Sequence, residues 1–253
     1  MIHLRIGFAL LAFLVALGCS NQSEQNDLAK GQACLDAIPQ SNPASATSCL
    51  QYVSKYSSTQ ANILKCSIYM TSGGLVENKI VKAYESQKDP TVNNKVVAFM
   101  SLLSLNIPDV DSAYNTAVLA NSYCQQSGVS GLIYLSGVIV TGTLMNKTIA
   151  DVTGTTIDPT TSSSAINTAI TNMLADCAGA TPDAKCTNNL QALGTTAATL
   201  ATTYCDSKNS KEQVCTSVNA ALAAAGNNAT DVGQALFCQL NNKTYNATTG
   251  LCN

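Results

Sequence analysis

Residues 166–177 read INTAITNMLADC, and their apolar side chains recur at intervals of three and four residues. An α-helix turns once in about 3.6 residues, so this interval collects the apolar positions on one face. Those positions are Ile166, Ala169, Ile170, Met173, Leu174 and Cys177. The stretch predicts an amphipathic helix that buries one face and ends at a cysteine.

The same periodicity recurs along most of the chain. It is seen at Val96, Val97, Met100 and Leu103, at Leu190, Leu193, Ala197, Leu200 and Tyr204, at Val214, Val218, Ala221 and Leu222, and at Val232, Ala235, Leu236 and Leu240. We therefore predict an all-α fold of about ten short helices, joined by short loops in a helical-hairpin or repeat-like array.

The most apolar internal segment runs from Leu132 to Met145. It is shorter than the roughly 20 residues that a helix needs to cross a bilayer, and it contains serine, threonine and glycine. This composition predicts a buried central helix and disfavours a membrane span.

The N-terminus has the composition of a secretory signal. Arg5 precedes an apolar run from Ile6 to Leu17, and Gly18 is a small residue of the kind found before a cleavage site. A membrane-anchor helix or a buried core helix fits less well, because the run is short and polar residues follow at once. Residues 1–18 are therefore predicted to be a signal peptide.

The stretch Val15-Ala16-Leu17-Gly18-Cys19 resembles the lipobox of bacterial lipoproteins, with Ala16 where that family favours leucine. The resemblance implies that Cys19 carries diacylglycerol, becomes the N-terminus after cleavage, and receives a further acyl chain on its amine. Two or more acyl chains anchor a protein stably to a membrane. By the same resemblance, Ser20 after the cysteine implies the outer membrane of a double-membrane cell.

Residues 19–30 are polar and unpatterned, so we expect a lipidated flexible tether. Residues 31–253 would then form a disulfide-bonded all-helical domain. The irregular stretch 151–163 would divide this domain into two halves, or it would be a surface loop within one.

The chain has eleven cysteines, and ten remain once Cys19 is assigned to the lipid. These are Cys34, Cys49, Cys66, Cys124, Cys177, Cys186, Cys205, Cys215, Cys238 and Cys252. An even number is expected of an exported, oxidised protein, so we predict about five disulfides. Local pairing would join Cys177 to Cys186, Cys205 to Cys215 and Cys238 to Cys252, and the other four would pair within the N-terminal half. Metal binding and a reactive thiol are the alternatives, but no pair has the Cys-x-x-Cys spacing of zinc sites.

Composition restricts the available chemistry. The only histidine, His3, and the only arginine, Arg5, lie in the predicted signal, and the chain has no tryptophan. Without histidine there is no Ser-His or Cys-His catalytic pair and no imidazole metal ligand. Charged residues are only 11% of the chain and the formal net charge is −2, so the basic surface that nucleic-acid binding requires is missing. We predict no catalytic residues, no cofactor and no metal.

Asp109 and Asp111, next to Pro108, are the one pair of carboxylates worth testing as an acid/base or calcium site. Capping of a helix N-terminus is the simpler interpretation of both. The tyrosines would line a ligand groove or, more simply, pack against the core with hydrogen-bonded hydroxyls.

Three functions remain open, in decreasing order of support. The first is a non-enzymatic cell-envelope lipoprotein that acts as a structural or protein-interaction module, partnered by the membrane through its lipid and by another envelope protein. The second is a lipoprotein that binds a small-molecule ligand in a groove between helices. The third is a glycan hydrolase that uses a pair of carboxylates.

Overall fold

The computed structural model describes residues 22–89, 95–156, 163–179, 183–205 and 213–253, and 77% of these residues are helical. The predicted all-α class is confirmed. The described α-helices are α1 (Gln22–Asp36), α2 (Leu50–Val53), α3 (Thr59–Ser72), α4 (Glu77–Lys88), α5 (Lys95–Leu103), α6 (Val110–Ser127), α7 (Ser130–Thr153), α8 (Ser163–Cys177), α9 (Ala184–Thr203), α10 (Gln213–Ala225) and α11 (Ala229–Leu240). The predicted signal peptide and Cys19 lie outside the described residues.

Each apolar stripe found in the sequence lies in one helix, α5 or one of α8 to α11. The helix ends follow local chemistry. Asn228 caps α11, its side-chain oxygen accepting hydrogen bonds from the N–H groups of Thr230 and Asp231 at 2.9 and 3.3 Å. Gly128 and Gly154 end α6 and α7 with φ of +69°, a conformation that glycine adopts without strain. Periodicity and capping therefore account for the element boundaries.

The helices pack in a connected series. α3 packs against α6, α6 against α7, α7 against α9, α9 against α11, and α11 against α10. The short connection at Gly128 and Val129 makes α6 and α7 a helical hairpin, and α4 with α5 packs as a second pair. The array places α7 at its centre.

By length and composition α7 is the one helix in the described part of the chain that could cross a membrane. Its most apolar 18 residues are, however, 67% buried inside the protein. The interior contacts come from α5, α6, α8 and α9. The prediction that residues 132–145 form a buried central helix is confirmed.

Close contacts of backbone with backbone occur where helices cross at glycine. A Cβ on Gly194 of α9 would lie 1.8 Å from the carbonyl oxygen of Ala229, at the start of α11. A Cβ on Gly233 of α11 would lie 2.2 Å from the carbonyl oxygen of Leu190 on α9. The α9–α11 crossing therefore depends on glycine at both positions.

Two apolar clusters fill the interior. The larger contains side chains from Cys66 to Tyr245 and includes residues on both sides of the stretch 151–163, for example Leu144 and Leu193. Residues 157–162 of that stretch lie outside the described residues. The smaller cluster is built on Val53, Leu64 and Ile68 and lies under α1.

Residues 22–30, expected to be a flexible tether, are helical and form most of α1. Leu28 and Leu35 of α1 pack on the smaller cluster. Between them, Gly31 is buried so closely that a Cβ there would lie 2.8 Å from Val53. The helix was missed because a glycine, with no apolar side chain, occupies the central position of its buried face.

Five disulfides join the ten cysteines, with Cα–Cα distances between 5.1 and 5.8 Å. The three local pairs expected from the sequence are present: Cys177–Cys186, Cys205–Cys215 and Cys238–Cys252. The remaining pairs are Cys34–Cys49, which fastens α1 to a 3-10 helix (Pro43–Cys49), and Cys66–Cys124, which joins α3 to α6. Cys252 lies in a short antiparallel pair of strands, β1 (Tyr245–Asn246) and β2 (Leu251–Cys252).

Candidate functional site

The two carboxylates selected from the sequence have separate roles. Asp109 caps α6, because its Oδ2 accepts a hydrogen bond from the N–H of Ser112 at 2.9 Å. This hydrogen bonding holds the pKa of the Asp109 carboxyl below its ordinary value. Asp111, two residues on, turns toward Lys147 of α7, with 2.6 Å between its Oδ1 and the lysine Nζ. The structure therefore does not bring Asp109 and Asp111 together as one acid/base site.

Lys147 lies between two carboxylates from different parts of the fold. Its Nζ is 2.5 Å from Oδ2 of Asp151, one turn along α7, as well as close to Asp111 of α6. Asn189 of α9 donates a hydrogen bond to the same Asp151 oxygen at 2.8 Å. The side chains of Lys147 and Asp151 are 12% and 10% exposed, whereas that of Asp111 is 68% exposed. We call these four residues the Lys147 network; it ties together α6, α7 and α9.

The electrostatics of the Lys147 network favour its charged form. Burial by itself would lower the pKa of Lys147, but the hydrogen bonds with Asp111 and Asp151 outweigh it and raise that pKa. Burial would likewise raise the pKa of Asp151, but hydrogen bonds from Lys147 and Asn189 outweigh it and lower that pKa. Lys147 and Asp151 thus hold each other in their ionised forms.

Asp111 and Asp151 are two carboxylates that share the Lys147 amine as a partner. A glycan hydrolase needs one carboxyl group with a raised pKa as general acid, and open space between the two for the glycosidic oxygen. Here the pKa of Asp151 is lowered, and the Lys147 amine occupies the space between the carboxylates. The arrangement is suited to holding helices together.

Four of the described tyrosines form two stacked pairs against the larger apolar cluster. Tyr69 and Tyr123 stack between α3 and α6 with ring centroids 5.6 Å apart, and Tyr134 and Tyr204 stack with centroids 3.9 Å apart. All four rings are partly buried against the larger apolar cluster. Packing against the core, the simpler of the two interpretations, describes these tyrosines.

A second buried lysine, Lys65, contacts the loop before α3 and a tyrosine of α6. Lys65 of α3 is 6% exposed, and its Nζ donates a hydrogen bond to the carbonyl oxygen of Tyr56. The same Nζ lies 5.1 Å from the centroid of the Tyr123 ring, within cation–π range. Burial lowers the pKa of Lys65. These contacts hold the loop before α3 against the helix pair α3–α6.

One cavity, of about 220 Å³, opens to solvent between α1, α3, α4 and α7. Half-buried apolar side chains line most of it: Leu35, Ile38, Val76, Ile80, Leu132 and Leu135. Met70 of α3 and Leu75 lie at its buried side. We call this cavity the α1–α4 groove. No tyrosine is among its lining residues.

The rim of the α1–α4 groove is polar and acidic. Asp36 at the end of α1 and Glu77 at the start of α4 are both exposed, and the described lining contains no lysine. Gln32 donates a hydrogen bond to Asp36 at 2.7 Å, and Asn78 of α4 donates one to Gln40 at 3.2 Å, across the groove's edge. The groove thus combines an apolar floor with a negatively charged, hydrogen-bonded rim.

Sequence reasoning did not find the α1–α4 groove, because its lining comes from four helices and two loops spread over residues 32–135. It also missed the Lys147 network, although the four-residue interval from Lys147 to Asp151 is a readable signal for a helical ion pair. Within the described ranges, no group of three potential metal-ligating cysteine, histidine, aspartate or glutamate side chains lies together.

Comparison with known proteins finds no matching family model, no curated protein and no solved structure with significant similarity, so the arguments for function rest on the chain's own residues and geometry.

Proposed function

We propose that this protein is an exported, lipid-anchored protein of the cell envelope that acts as a non-enzymatic interaction module. The observation that carries the proposal is that all ten cysteines after Cys19 are joined in disulfides. Disulfides in such number persist in oxidising compartments and are rare in the cytosol. Cys19, which lies outside the described residues, is the cysteine left over from the eleven once these ten are paired, and acylation at that position is consistent with this count.

An interaction role is supported by the rigid form of the helical array. Disulfides fasten α1 to the 3-10 helix, α3 to α6, and α8 to α9. The α1–α4 groove exposes half-buried leucine and isoleucine side chains, and two of its four helices, α1 and α3, are held by these disulfides. A preorganised surface binds a partner with less loss of conformational entropy than a mobile one.

The second candidate, a small-molecule carrier, is supported by the same groove. Its volume of about 220 Å³ is below the roughly 300–1,000 Å³ of ordinary small-molecule sites. A cavity of that size suits one or two anchoring side chains of a larger partner better than a whole ligand. The interaction module is therefore the preferred proposal.

Acylation and localisation are tested by expressing the full chain in a double-membrane bacterium with labelled palmitate. We expect label on the wild-type protein, partition into the detergent phase and recovery with the outer membrane. Cys19→Ser should abolish labelling, while the neighbouring change Ser20→Ala should leave labelling and detergent partition intact. Wild-type protein that is unlabelled and water-soluble would refute the anchor.

Thiol titration tests the disulfide part of the proposal separately. Denatured, unreduced protein from the envelope should react with essentially no thiol reagent, and after reduction all ten cysteines should react. Free thiols in the unreduced protein would place the chain in a reducing compartment.

A further inference from the structure

We propose that the α1–α4 groove binds an apolar peptide segment of a partner protein, and that this segment carries lysine or arginine beside its inserted side chains. This inference rests on the proposed function, since it names the chemistry of the partner. Its argument uses the shape, charge and rigidity of the groove.

The apolar floor defines what is inserted. Leu35 and Ile38 at one wall face the same cavity as Ile80 of α4 and Leu132 of α7. Each of these side chains is half-buried, so part of its apolar surface remains in water in the free protein. Covering such surface is favourable by about 25 cal/mol per Å². One or two leucine-sized side chains of a helix or extended segment would fill the cavity and cover it.

The rim defines the charge of the segment. Asp36 and Glu77 place two exposed carboxylates on one groove whose lining has no cationic side chain. Asp36 also lies at the C-terminal end of α1, whose last turn has no basic residue. Unsatisfied carbonyl groups give a helix C-terminus a partial negative charge, which adds to that of the Asp36 carboxylate. A cation next to the inserted apolar residues is therefore the complementary charge.

The walls are fixed before binding. The Cys34–Cys49 disulfide holds the last turn of α1 near the 3-10 helix, which begins at Pro43 in the groove lining. The close packing of Gly31 on Val53 holds the middle of α1 against the body. The hydrogen bond from Asn78 to Gln40 joins α4 to the segment after α1. The groove therefore behaves as a preformed site rather than one that opens only with its partner.

The experiment uses the exported chain with Cys19→Ser behind a signal peptide that is cleaved without acylation, so that every described residue is unchanged and no detergent is needed. The probes are three acetylated, amidated helical peptides of about twelve residues. The first has leucines at one face flanked by lysines, the second replaces the lysines with glutamates, and the third keeps the lysines but replaces the leucines with serines. Binding is followed by two-dimensional NMR of the isotope-labelled protein.

We expect the leucine–lysine peptide to shift resonances of the groove residues, and the other two peptides to bind at least about tenfold more weakly. Glu77→Lys should weaken the leucine–lysine peptide at least about fivefold and strengthen the leucine–glutamate peptide. Glu85→Lys is the matched control, since it makes the same charge change at an exposed position of α4 outside the groove, and it should have an effect within about twofold.

Four results would overturn the inference. They are no shifts at about 1 mM peptide, shifts centred outside the groove, equal binding of the lysine and glutamate peptides, or equal effects of Glu77→Lys and Glu85→Lys. Concentration-dependent dimerisation that protects the groove residues would identify a second copy as the occupant and overturn it as well. Because Cys19→Ser removes acylation, these outcomes are independent of whether the anchor exists, which the labelling experiment decides.

Discussion

Replacing Gly194 with alanine should destabilise the protein, although alanine is the better helix former. The added Cβ would lie 1.8 Å from the carbonyl oxygen of Ala229, where ordinary contact begins at 3.4 Å. Relief requires α9 and α11 to separate by roughly 1.6 Å, because the obstacle is backbone that has no other rotamer. Separation would loosen the packing of Leu190 and Leu236, both fully buried.

The expected size of the effect follows from two opposing contributions. Overpacking of a well-packed core costs about 1–3 kcal/mol, and a clash with backbone belongs at the upper end of that range. Alanine recovers up to about 1 kcal/mol through its helix propensity. The free energy of unfolding should therefore fall by about 2 kcal/mol. For a chain of this size that corresponds to a drop in Tm of roughly 4–8 °C.

Thermal unfolding of the oxidised protein, followed by circular dichroism, measures the change. Gly131→Ala is the matched control, since Gly131 lies in the first turn of α7 and an added Cβ there meets nothing within 4 Å. The control should leave the Tm unchanged or raise it. A Gly194→Ala protein as stable as wild type, or a control that is destabilised equally, would refute the argument from the helix crossing.

Four further predictions concern the Lys147 network and a helix cap. Lys147→Met should lower the free energy of unfolding by about 3–5 kcal/mol in urea titrations at neutral pH, because it leaves the buried Asp151 carboxylate unpaired. Asp111→Asn should lower the free energy of unfolding by less than about 1 kcal/mol, since the Asp111 side chain is mostly exposed. Equal losses for Asp111→Asn and Lys147→Met would contradict the difference in burial between Asp111 and Asp151. The pKa of Asp151 is lowered in the folded protein, so its stabilisation is present above the ordinary pKa near 3.9 and should be lost as pH falls through the folded value. Urea midpoints that fall equally with acidification in wild type and Lys147→Met would contradict this linkage. Asn228→Ala should cost about 1 kcal/mol by removing the α11 cap, whereas Asn228→Asp, which keeps the acceptor, should cost little.

The regions where sequence reasoning succeeded share a local signal. In the stripe from Ile166 to Cys177 an apolar residue recurs about once per helical turn. The buried face of this helix can therefore be identified without knowing which helices cover it. The pairs Cys177–Cys186 and Cys205–Cys215 close short loops, and their separations of 9 and 10 residues made local bonding the natural expectation.

The failure at α1 has its cause in contacts outside the helix. Its sequence is polar on average, and only Leu28 and Leu35 mark its buried face, one on each side of Gly31. The helix is held by close packing of Gly31 on Val53 and by the Cys34–Cys49 disulfide, both of which involve residues beyond the helix itself. Helix propensity and periodicity carry no information about such contacts.

The all-α class follows from the residues alone, because helical periodicity repeats every three or four residues, and so do the ten cysteines that remain once Cys19 is assigned to the lipid. The packing of the helices was needed to bring Asp111 and Asp151 to Lys147, and to set Asp36 and Glu77 at the border of one apolar groove. Those neighbours are 40 or 41 residues apart. Their proximity is set by the order in which α1, α3, α4, α6 and α7 pack, and that order arises from the fit of whole helix faces rather than from the spacing of residues along the chain.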